Sequence, residues 1–362
     1  MELWKSDGTE AGTVQVKDIE PGSGGSYACE LTNVNGTLFF SANDDSSGWE
    51  LWKSDGTEAG TVRVKDIYPG SDGSRPSGLT NVNGTLFFRA DDGSSGEELW
   101  KSDGTETGTV RVKDICPGTS SSVPAYLTEL NGMLFFSASN GSNDRGLWKS
   151  DGMEAGTVRV KDINPGGSSY PHELTNVNGT LFFIADEGSS GWELWKSDGT
   201  EAGTVRVKDI YPGSDSPDPV HLTNYLTNVN GTLFFIADDG SSGWELWKSD
   251  GTEAGTVRVK DIRPGNDSSA PAYLTNVNGT LFFSADDGSH GRELWKSDGT
   301  EAGTVRVGNI HPGPGSSEPG YLTNVNGTLF FSADNGSSGG ELWALVTVNQ
   351  VYLPLVLRQS NG

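Results

Sequence analysis

The sequence predicts an all-β fold, a seven-bladed β-propeller of four-stranded antiparallel blades. A unit of about 48 residues repeats almost from end to end, each unit holds two hairpin-like segments, and apolar runs recur in register with turn signals. The repeated tryptophans lie 48 residues apart, except for one interval of 47 and one of 52; they are Trp4, Trp52, Trp100, Trp148, Trp195, Trp247, Trp295 and Trp343. An eight-bladed propeller, an open β-repeat array and a linear β-solenoid are the alternatives.

The second unit shows the four predicted strands, named a to d in chain order. Strand a covers residues 79–83, strand b 85–91, strand c 98–102 and strand d 109–115. Asn83-Gly84 predicts a tight hairpin between a and b, because this pair readily adopts the positive φ of a type I′ turn. Strand b carries an unbroken Leu-Phe-Phe, as expected of a strand covered on both faces. Strand d alternates valine with cationic side chains, which predicts the outer edge of the blade.

The repeats predict one propeller domain over residues 1–343 and a C-terminal tail over residues 344–362. The sequence contains seven a–b hairpins but eight copies of strand c. The N-terminal strands c and d, residues 1–19, either complete the blade begun by residues 322–334 or belong to a preceding blade. In the second case the tail, with its apolar run at residues 351–357, supplies the missing strands. The first arrangement gives seven blades.

The charge of the chain limits its partners. Twenty-five basic and 49 acidic side chains give a net charge of −24, which disfavours nucleic acid and anionic membrane surfaces. No apolar stretch approaches the ~20 residues of a membrane-spanning helix. Cations and neutral ligands such as glycans stay open as partners, as does a protein, and the sequence predicts no oligomeric state. Cys29 and Cys116 occupy different positions in their repeats, which predicts two unpaired thiols.

One eight-residue segment in each repeat resembles a known family. Residues 98–105, Glu-Leu-Trp-Lys-Ser-Asp-Gly-Thr, resemble the signature of the bacterial ELWxxDGT-repeat proteins, and the resemblance covers residues 2–343. It implies an exported, repetitive bacterial protein and no particular activity. The fourth copy of the signature, which lies in the third unit, departs from it, with Gly146 for Glu and Met153 for Thr. The turn is also similar to the Asp-box hairpin of sialidase-like propellers, which implies a turn-stabilising role for Asp103.

The repeats differ mainly at one end of the predicted blades, where the b–c and d–a loops meet; we call this end the variable face. The residue before each Glu-Leu-Trp is Trp49, Glu97, Arg145, Trp192, Trp244, Arg292 or Gly340. The residue before each strand a is Glu30, Gly78, Tyr126, Glu173, Tyr225, Tyr273 or Tyr321. Varied aromatic and charged side chains on a rigid scaffold are typical of recognition surfaces. The predicted ligand-binding residues are Trp49, Arg145, Trp192, Trp244, Arg292, Tyr126, Tyr225, Tyr273 and Tyr321. Loop drift is the alternative explanation.

Acidic pairs in the b–c loops make calcium a candidate ion. The pairs Asp91-Asp92, Asp238-Asp239 and Asp286-Asp287 offer hard oxygen ligands, although Asp-Asp-Gly is also common turn chemistry. No EF-hand or calcium β-roll spacing accompanies them. The four histidines, His172, His221, His290 and His311, come from unlike positions in different repeats. We therefore expect no required cofactor.

These observations favour a noncatalytic, extracellular or cell-surface binding or adhesion module that recognises a glycan or a protein through the variable face. The first alternative is a structural spacer within a larger surface protein. The second is a propeller hydrolase or lyase that acts on polysaccharide, which needs a catalytic residue set that the sequence does not display.

Overall fold

The computed structural model describes residues 1–142, 144–189, 191–212 and 222–345, with the side chains of residues 222–225 excepted. Within these ranges every regular element is a β-strand. The part of the chain that is described has no helix long and apolar enough to cross a lipid bilayer.

Six four-stranded antiparallel sheets form in chain order among the described residues. The first three are β3 Cys29–Val34, β4 Thr37–Asn43, β5 Trp49–Ser54 and β6 Val62–Lys65; β7 Ser77–Val82, β8 Thr85–Asp91, β9 Glu97–Ser102 and β10 Val110–Lys113; and β11 Ala125–Leu130, β12 Met133–Ser139, β13 Arg145–Ser150 and β14 Val158–Lys161. The next three are β15 His172–Val177, β16 Thr180–Asp186, β17 Trp192–Ser197 and β18 Val205–Lys208; β19 Leu222–Val229, β20 Thr232–Asp238, β21 Trp244–Ser249 and β22 Val257–Lys260; and β23 Ala272–Val277, β24 Thr280–Asp286, β25 Arg292–Ser297 and β26 Val305–Arg306.

Each of these sheets has the strand order a–b–c–d, which confirms the predicted all-β propeller blade. In the second unit, strands b and c lie in the centre, and strand b carries the fully buried Leu86 and Phe88. Strand d is shorter than the sequence predicts, because only Val110–Lys113 pairs with strand c. Ile115 lies beyond the strand and is nevertheless buried.

The Asn-Gly turns between strands a and b form as predicted. Asn83 has a φ of 48° and Gly84 a φ of 84°, the left-handed conformation that a type I′ turn needs at both positions. The same pair of positive φ angles recurs at residues 35–36, 131–132, 178–179, 230–231, 278–279 and 326–327. A polar side chain of strand a closes each turn. In the second unit the Asn81 Oδ1 accepts the Gly84 amide at 2.9 Å, and in the third unit the Glu129 Oε1 accepts the Gly132 amide at 2.8 Å.

Two incomplete sheets flank the six complete ones in the sequence. Strands β1 Leu3–Lys5 and β2 Val14–Lys17 form a two-stranded sheet, and β27 Gly320–Val325, β28 Thr328–Asp334 and β29 Gly340–Leu345 form a three-stranded one. The last sheet takes β29 as its strand c, so the N-terminal pair does not fill that position. Of the two arrangements that the sequence allows, the pairing matches the one with the N-terminal strands in a separate sheet. The apolar run at residues 351–357 lies outside the described residues.

The apolar core lies between successive sheets. In the first compact unit of the chain, residues 1–179 with 198–204, Phe39 and Val64 of one sheet pack with Phe88 and Trp100 of the next. The second compact unit, residues 180–197 with 205–362, repeats this layering, where Phe234 packs with Trp295. The strand c tryptophans of the six complete sheets are therefore core residues, as the sequence predicts, whereas Trp4 of the N-terminal sheet is exposed.

Candidate functional site

The repeated lysine of Glu-Leu-Trp-Lys binds the turn of the following repeat. The Lys101 Nζ donates to the Gly152 carbonyl oxygen at 2.8 Å. Equivalent bonds of 2.7–2.8 Å join Lys5 to Gly56, Lys53 to Gly104, Lys149 to Gly199 and Lys248 to Gly299. The lysines of strand d also donate to main-chain carbonyls of the next sheet. The Lys65 Nζ, for example, donates to the Thr109 carbonyl oxygen at 2.8 Å. These cationic side chains hold neighbouring sheets together.

Asp103 stabilises the c–d turn, as the similarity to the Asp-box implies. Its Oδ1 accepts the Thr105 amide at 2.8 Å and the Thr105 hydroxyl at 2.7 Å, and the Thr105 Oγ1 accepts the Gly108 amide. The hydroxyl and amide of Thr105 hold the pKa of Asp103 below its usual value. In the third unit the Met153 main-chain amide still donates to the Asp151 Oδ1 at 2.8 Å, but the methionine side chain supplies no hydroxyl.

In five of the six complete sheets the glutamate of Glu-Leu-Trp is a buried anchor for the d–a loop; these residues are Glu50, Glu98, Glu193, Glu245 and Glu293. The Glu98 carboxylate accepts the Ile115 amide at 2.9 Å, the Ser122 amide at 3.2 Å and the Ser122 hydroxyl at 2.7 Å, and its side chain is fully buried. Burial raises the pKa of Glu98, against the opposing effect of these hydrogen bonds. Burial likewise raises the pKa of Glu245 to about 7 and that of Glu193 to about 8. These carboxylates therefore have a structural role, which is to hold the d–a loops in place.

The third unit has Gly146 in place of this glutamate. A Cβ at Gly146 would lie 2.8 Å from the Arg159 Nε, so the arginine occupies space near the missing carboxylate. The Arg159 guanidinium pairs with Asp144 and, at 2.9 Å, with Asp162. The Ser169 hydroxyl donates to the Arg145 carbonyl at 3.2 Å.

Residues of the variable face gather at one end of each sheet. In the second unit Asp91 pairs with Glu97 and Ser77 pairs with Arg89, so the end of strand b and the starts of strands a and c lie together. The variable residue of strand a has a positive φ in six units: Glu30 (58°), Gly78 (66°), Tyr126 (56°), Glu173 (55°), Tyr273 (58°) and Tyr321 (55°). At five of these positions, all except Glu173, the pairing of strands a and b shows a β-bulge. A positive φ strains residues other than glycine, and such strain concentrates at functional sites.

The predicted tyrosines present their rings to solvent at these bulges. Tyr126 is 49% exposed and lies 6.1 Å, between ring centroids, from His172. Tyr273 and Tyr321, which is 80% exposed, lie 6.3 Å apart. The side chain of Tyr225 lies outside the described residues. The structure thus pairs Tyr126 with a histidine ring and Tyr273 with Tyr321.

The residues before Glu-Leu-Trp differ in what their side chains do. Trp49, Trp192 and Trp244 are half-buried, and Trp244 packs against the apolar core. Arg145 donates to the Val123 carbonyl at 2.9 Å and the Ser137 carbonyl at 3.3 Å, and Arg292 donates to the Ala270 carbonyl at 2.7 Å. The two arginines therefore brace the d–a loops, a role that the sequence analysis missed because the acceptors are main-chain atoms.

The acidic pairs of the b–c loops cap their own turns. The Asp92 Oδ1 accepts the Ser94 amide at 2.9 Å and the Ser95 amide at 2.8 Å, and the Asp91 Oδ1 accepts the Gly93 amide. The same bonds recur for Asp238-Asp239 and Asp286-Asp287. Over the described ranges no three His, Cys, Asp or Glu residues are grouped as a metal site. Calcium binding at these turns stays a prediction.

The described histidines have separate surroundings and form no common cluster. The His290 Nδ1 is 2.9 Å from the Asp287 Oδ2, within the turn that this aspartate caps. Burial lowers the pKa of His172, which begins strand β15. His221 lies outside the described residues. Both thiols are free, with Cys29 exposed and Cys116 buried, as the sequence predicts.

A pocket of about 420 Å³ opens on the variable face between the first two complete sheets. Trp49, Glu30 and Glu97 line it together with Cys29, Arg75 and Arg89. The sequence analysis did not single out the two arginines. Arg89 stands where other repeats carry serine or isoleucine in strand b, and this difference was the signal available in the sequence.

Comparison with known proteins supports the fold. No protein-family model and no curated protein sequence matches the chain. A solved structure from a structural and mechanistic analysis of two prolyl endopeptidases has 13% identity and a TM-score of 0.51, and the match covers 89% of this chain and 50% of that one. The β-propeller domain of the Trilobed protease from Pyrococcus furiosus has 10% identity and a TM-score of 0.43, with 88% and 94% covered. The chain spans half the length of the first structure, and the likeness concerns the fold only.

Proposed function

We propose that this chain is a noncatalytic binding module of the cell exterior that recognises a glycan or a protein through the variable face. The proposal rests on a difference in contacts between the repeated and the variable residues. The side chains that recur in every repeat bond one sheet to the next, whereas the side chains that differ gather at strained bulges. Selection for folding stability explains the first group but offers no reason to hold tyrosine at positive φ.

The exposed tyrosine rings indicate which classes of ligand the variable face binds. Tyrosine offers a flat apolar surface with a polar tip, which suits both sugar rings and protein partners. The resemblance to ELWxxDGT-repeat proteins supports an extracellular location. A structural spacer is the alternative that the sheet-to-sheet bonding supports, because a spacer needs those bonds and no ligand.

Glycan and protein arrays probed with the purified chain test the proposal. We expect at least one ligand class to bind, and we expect Tyr273→Ala to weaken that binding while the urea midpoint stays unchanged. Arrays without any ligand would favour the spacer. Release of products from acidic or neutral polysaccharides would favour the hydrolase or lyase alternative instead.

A further inference from the structure

The pocket between the first two complete sheets combines chemistry that no other repeat carries. Arg89 replaces Ser41, Ser137, Ser284, Ser332, Ile184 and Ile236 of the other strands b. Arg75 replaces Tyr27, Val123, Tyr170, Ala270 and Glu318 of the other described d–a loops. Both substitutions fall on the walls of the same pocket, although the two residues lie on different elements.

The main chain of Arg75 is bonded to that of Trp49, and both residues line the pocket. The Arg75 amide donates to the Trp49 carbonyl at 3.0 Å, and Arg75 holds a φ of 51°. The Arg75 side chain is exposed and makes no hydrogen bond or ion pair with the described residues. Its charge is therefore available to a ligand, next to the half-buried Trp49.

The second guanidinium is held by one nitrogen only. The Arg89 Nε donates to the Ser77 Oγ at 3.0 Å and lies 3.7 Å from the Glu97 Oε2. Its two terminal nitrogens have no partner among the described residues, so the outer edge of the fork is open. Such an edge binds a carboxylate through two parallel hydrogen bonds.

Acceptors complete the lining. Glu30 accepts the Gly78 amide at 3.0 Å through its Oε2, which fixes the side chain and leaves Oε1 for another donor. Glu97 is one-third exposed and faces Arg89. The pocket thus offers donors for a carboxylate, acceptors for hydroxyls and an indole for an apolar ring face. Its volume of about 420 Å³ falls in the range of small-ligand sites, ~300–1,000 Å³.

We propose that this pocket binds an acidic sugar residue, a hexuronate unit of a glycan. The carboxylate accepts hydrogen bonds from Arg75 and Arg89, the hydroxyls donate to Glu30 and Glu97, and the sugar ring packs on Trp49. This inference rests on the proposed function, whose ligand class it narrows. A matched neutral hexose lacks the carboxylate, so it offers no anionic acceptor to Arg75 or to the terminal nitrogens of Arg89.

Calorimetric titration with oligogalacturonate and oligoglucuronate, against the matched neutral galactose and glucose oligomers, tests the ligand class. We expect saturable binding of at least one acidic oligomer and at least tenfold weaker binding of its neutral counterpart. Arg89→Ser and Arg75→Val introduce residues that other repeats carry at these positions, and each should weaken acidic binding at least tenfold. Arg258→Ala, which removes the same charge from an outer strand, should leave it unchanged.

Alkylation of Cys29 locates the bound sugar. The Cys29 thiol lines the pocket and is exposed, whereas Cys116 is buried. Burial and Glu30 raise the pKa of the Cys29 thiol, so iodoacetamide is applied at alkaline pH. Bound acidic oligomer should slow alkylation at least fivefold in the wild type and less than twofold in Arg89→Ser.

The outcomes separate this inference from the proposed function. Binding of a protein or neutral glycan without protection of Cys29 overturns the acidic-sugar site and supports recognition elsewhere on the face. Acidic binding that Arg89→Ser and Arg258→Ala weaken equally also overturns the site, because it reflects net charge alone. The absence of any ligand for the wild type overturns both.

Discussion

The Nζ of Lys101 lies 2.8 Å from the carbonyl oxygen of Gly152, 51 residues further along the chain. This bond joins strand c of one sheet to the c–d turn of the next, and four equivalent bonds recur among the described residues. A motif that looks like a local signature in the sequence is therefore an intersheet contact.

Loss of this bond should weaken the array. Lys101→Met keeps most of the apolar stem and removes the ammonium group, and we expect the free energy of unfolding to fall by about 1 kcal/mol. Lys296→Met is the matched control, because Lys296 occupies the same motif position and has no hydrogen-bond partner among the described residues. Urea denaturation should show a lower midpoint for the first variant only; equal shifts would contradict the intersheet role.

The tryptophans give a sharper contrast. Trp100 is 6% exposed and packs between two sheets, whereas Trp4, at the same motif position in the N-terminal sheet, is 57% exposed. We expect Trp100→Ala to cost about 3–5 kcal/mol and Trp4→Ala about 1 kcal/mol or less. Urea midpoints measure both, and similar losses at the two positions would show that the core does not lie between sheets.

The third unit contains a turn that one substitution should stabilise. Met153→Thr restores the hydroxyl that accepts the following glycine amide and donates to the aspartate, and we expect a gain of about 0.5–1 kcal/mol. Thr105→Met makes the reverse change in the second unit and should cost a similar amount. A fall in the urea midpoint for Met153→Thr would argue against the side-chain bonds as the source of turn stability.

The buried glutamates make stability depend on pH. Glu245 titrates at about 7 in the folded chain, above its ordinary value of 4.5. The folded state therefore binds this proton more tightly, so the stability contribution is fully present below about pH 4.5 and is lost as the pH rises through about 7. Glu193, with a pKa of about 8, extends this window upward.

Urea midpoints measured between about pH 5 and pH 8.5 should fall as the pH rises. Glu245→Gln lowers the midpoint at every pH, because it replaces an acceptor with an amide, and it should flatten the slope across this window. A slope that is unchanged in Glu245→Gln and Glu193→Gln would show that these carboxyl groups do not titrate there.

Tyrosine at the bulge should carry a stability cost. Tyr126 has a φ of 56°, and Gly78 holds the equivalent position in the second unit at 66°. We expect Tyr126→Gly to leave the urea midpoint unchanged or to raise stability by up to about 1 kcal/mol, and Gly78→Ala to lower it by about 1 kcal/mol. A large loss of stability in Tyr126→Gly would mean that the Tyr126 ring stabilises the folded state.

The sequence predicted what is local and periodic. The Asn83-Gly84 turn, the buried strand b and the turn role of Asp103 follow from residue chemistry within a few positions, and all three are confirmed. Glu98 was missed because its partners, Ile115 and Ser122, lie 17 and 24 residues away. The pocket arginines were missed for the same reason, since they come from different elements that meet only after the sheets have packed.

The central claim is that the variable face binds a ligand while the repeated residues build the scaffold. The most direct measurement compares array binding by two triple variants, Tyr126→Ala/Tyr273→Ala/Tyr321→Ala on the variable face and Glu58→Ala/Glu106→Ala/Glu301→Ala on the exposed c–d turns at the opposite end. Binding to the ligand of the wild type should fall at least tenfold in the tyrosine variant and stay within twofold in the glutamate variant, with similar urea midpoints. Equal binding by both variants, or a loss confined to the glutamate variant, would contradict the account.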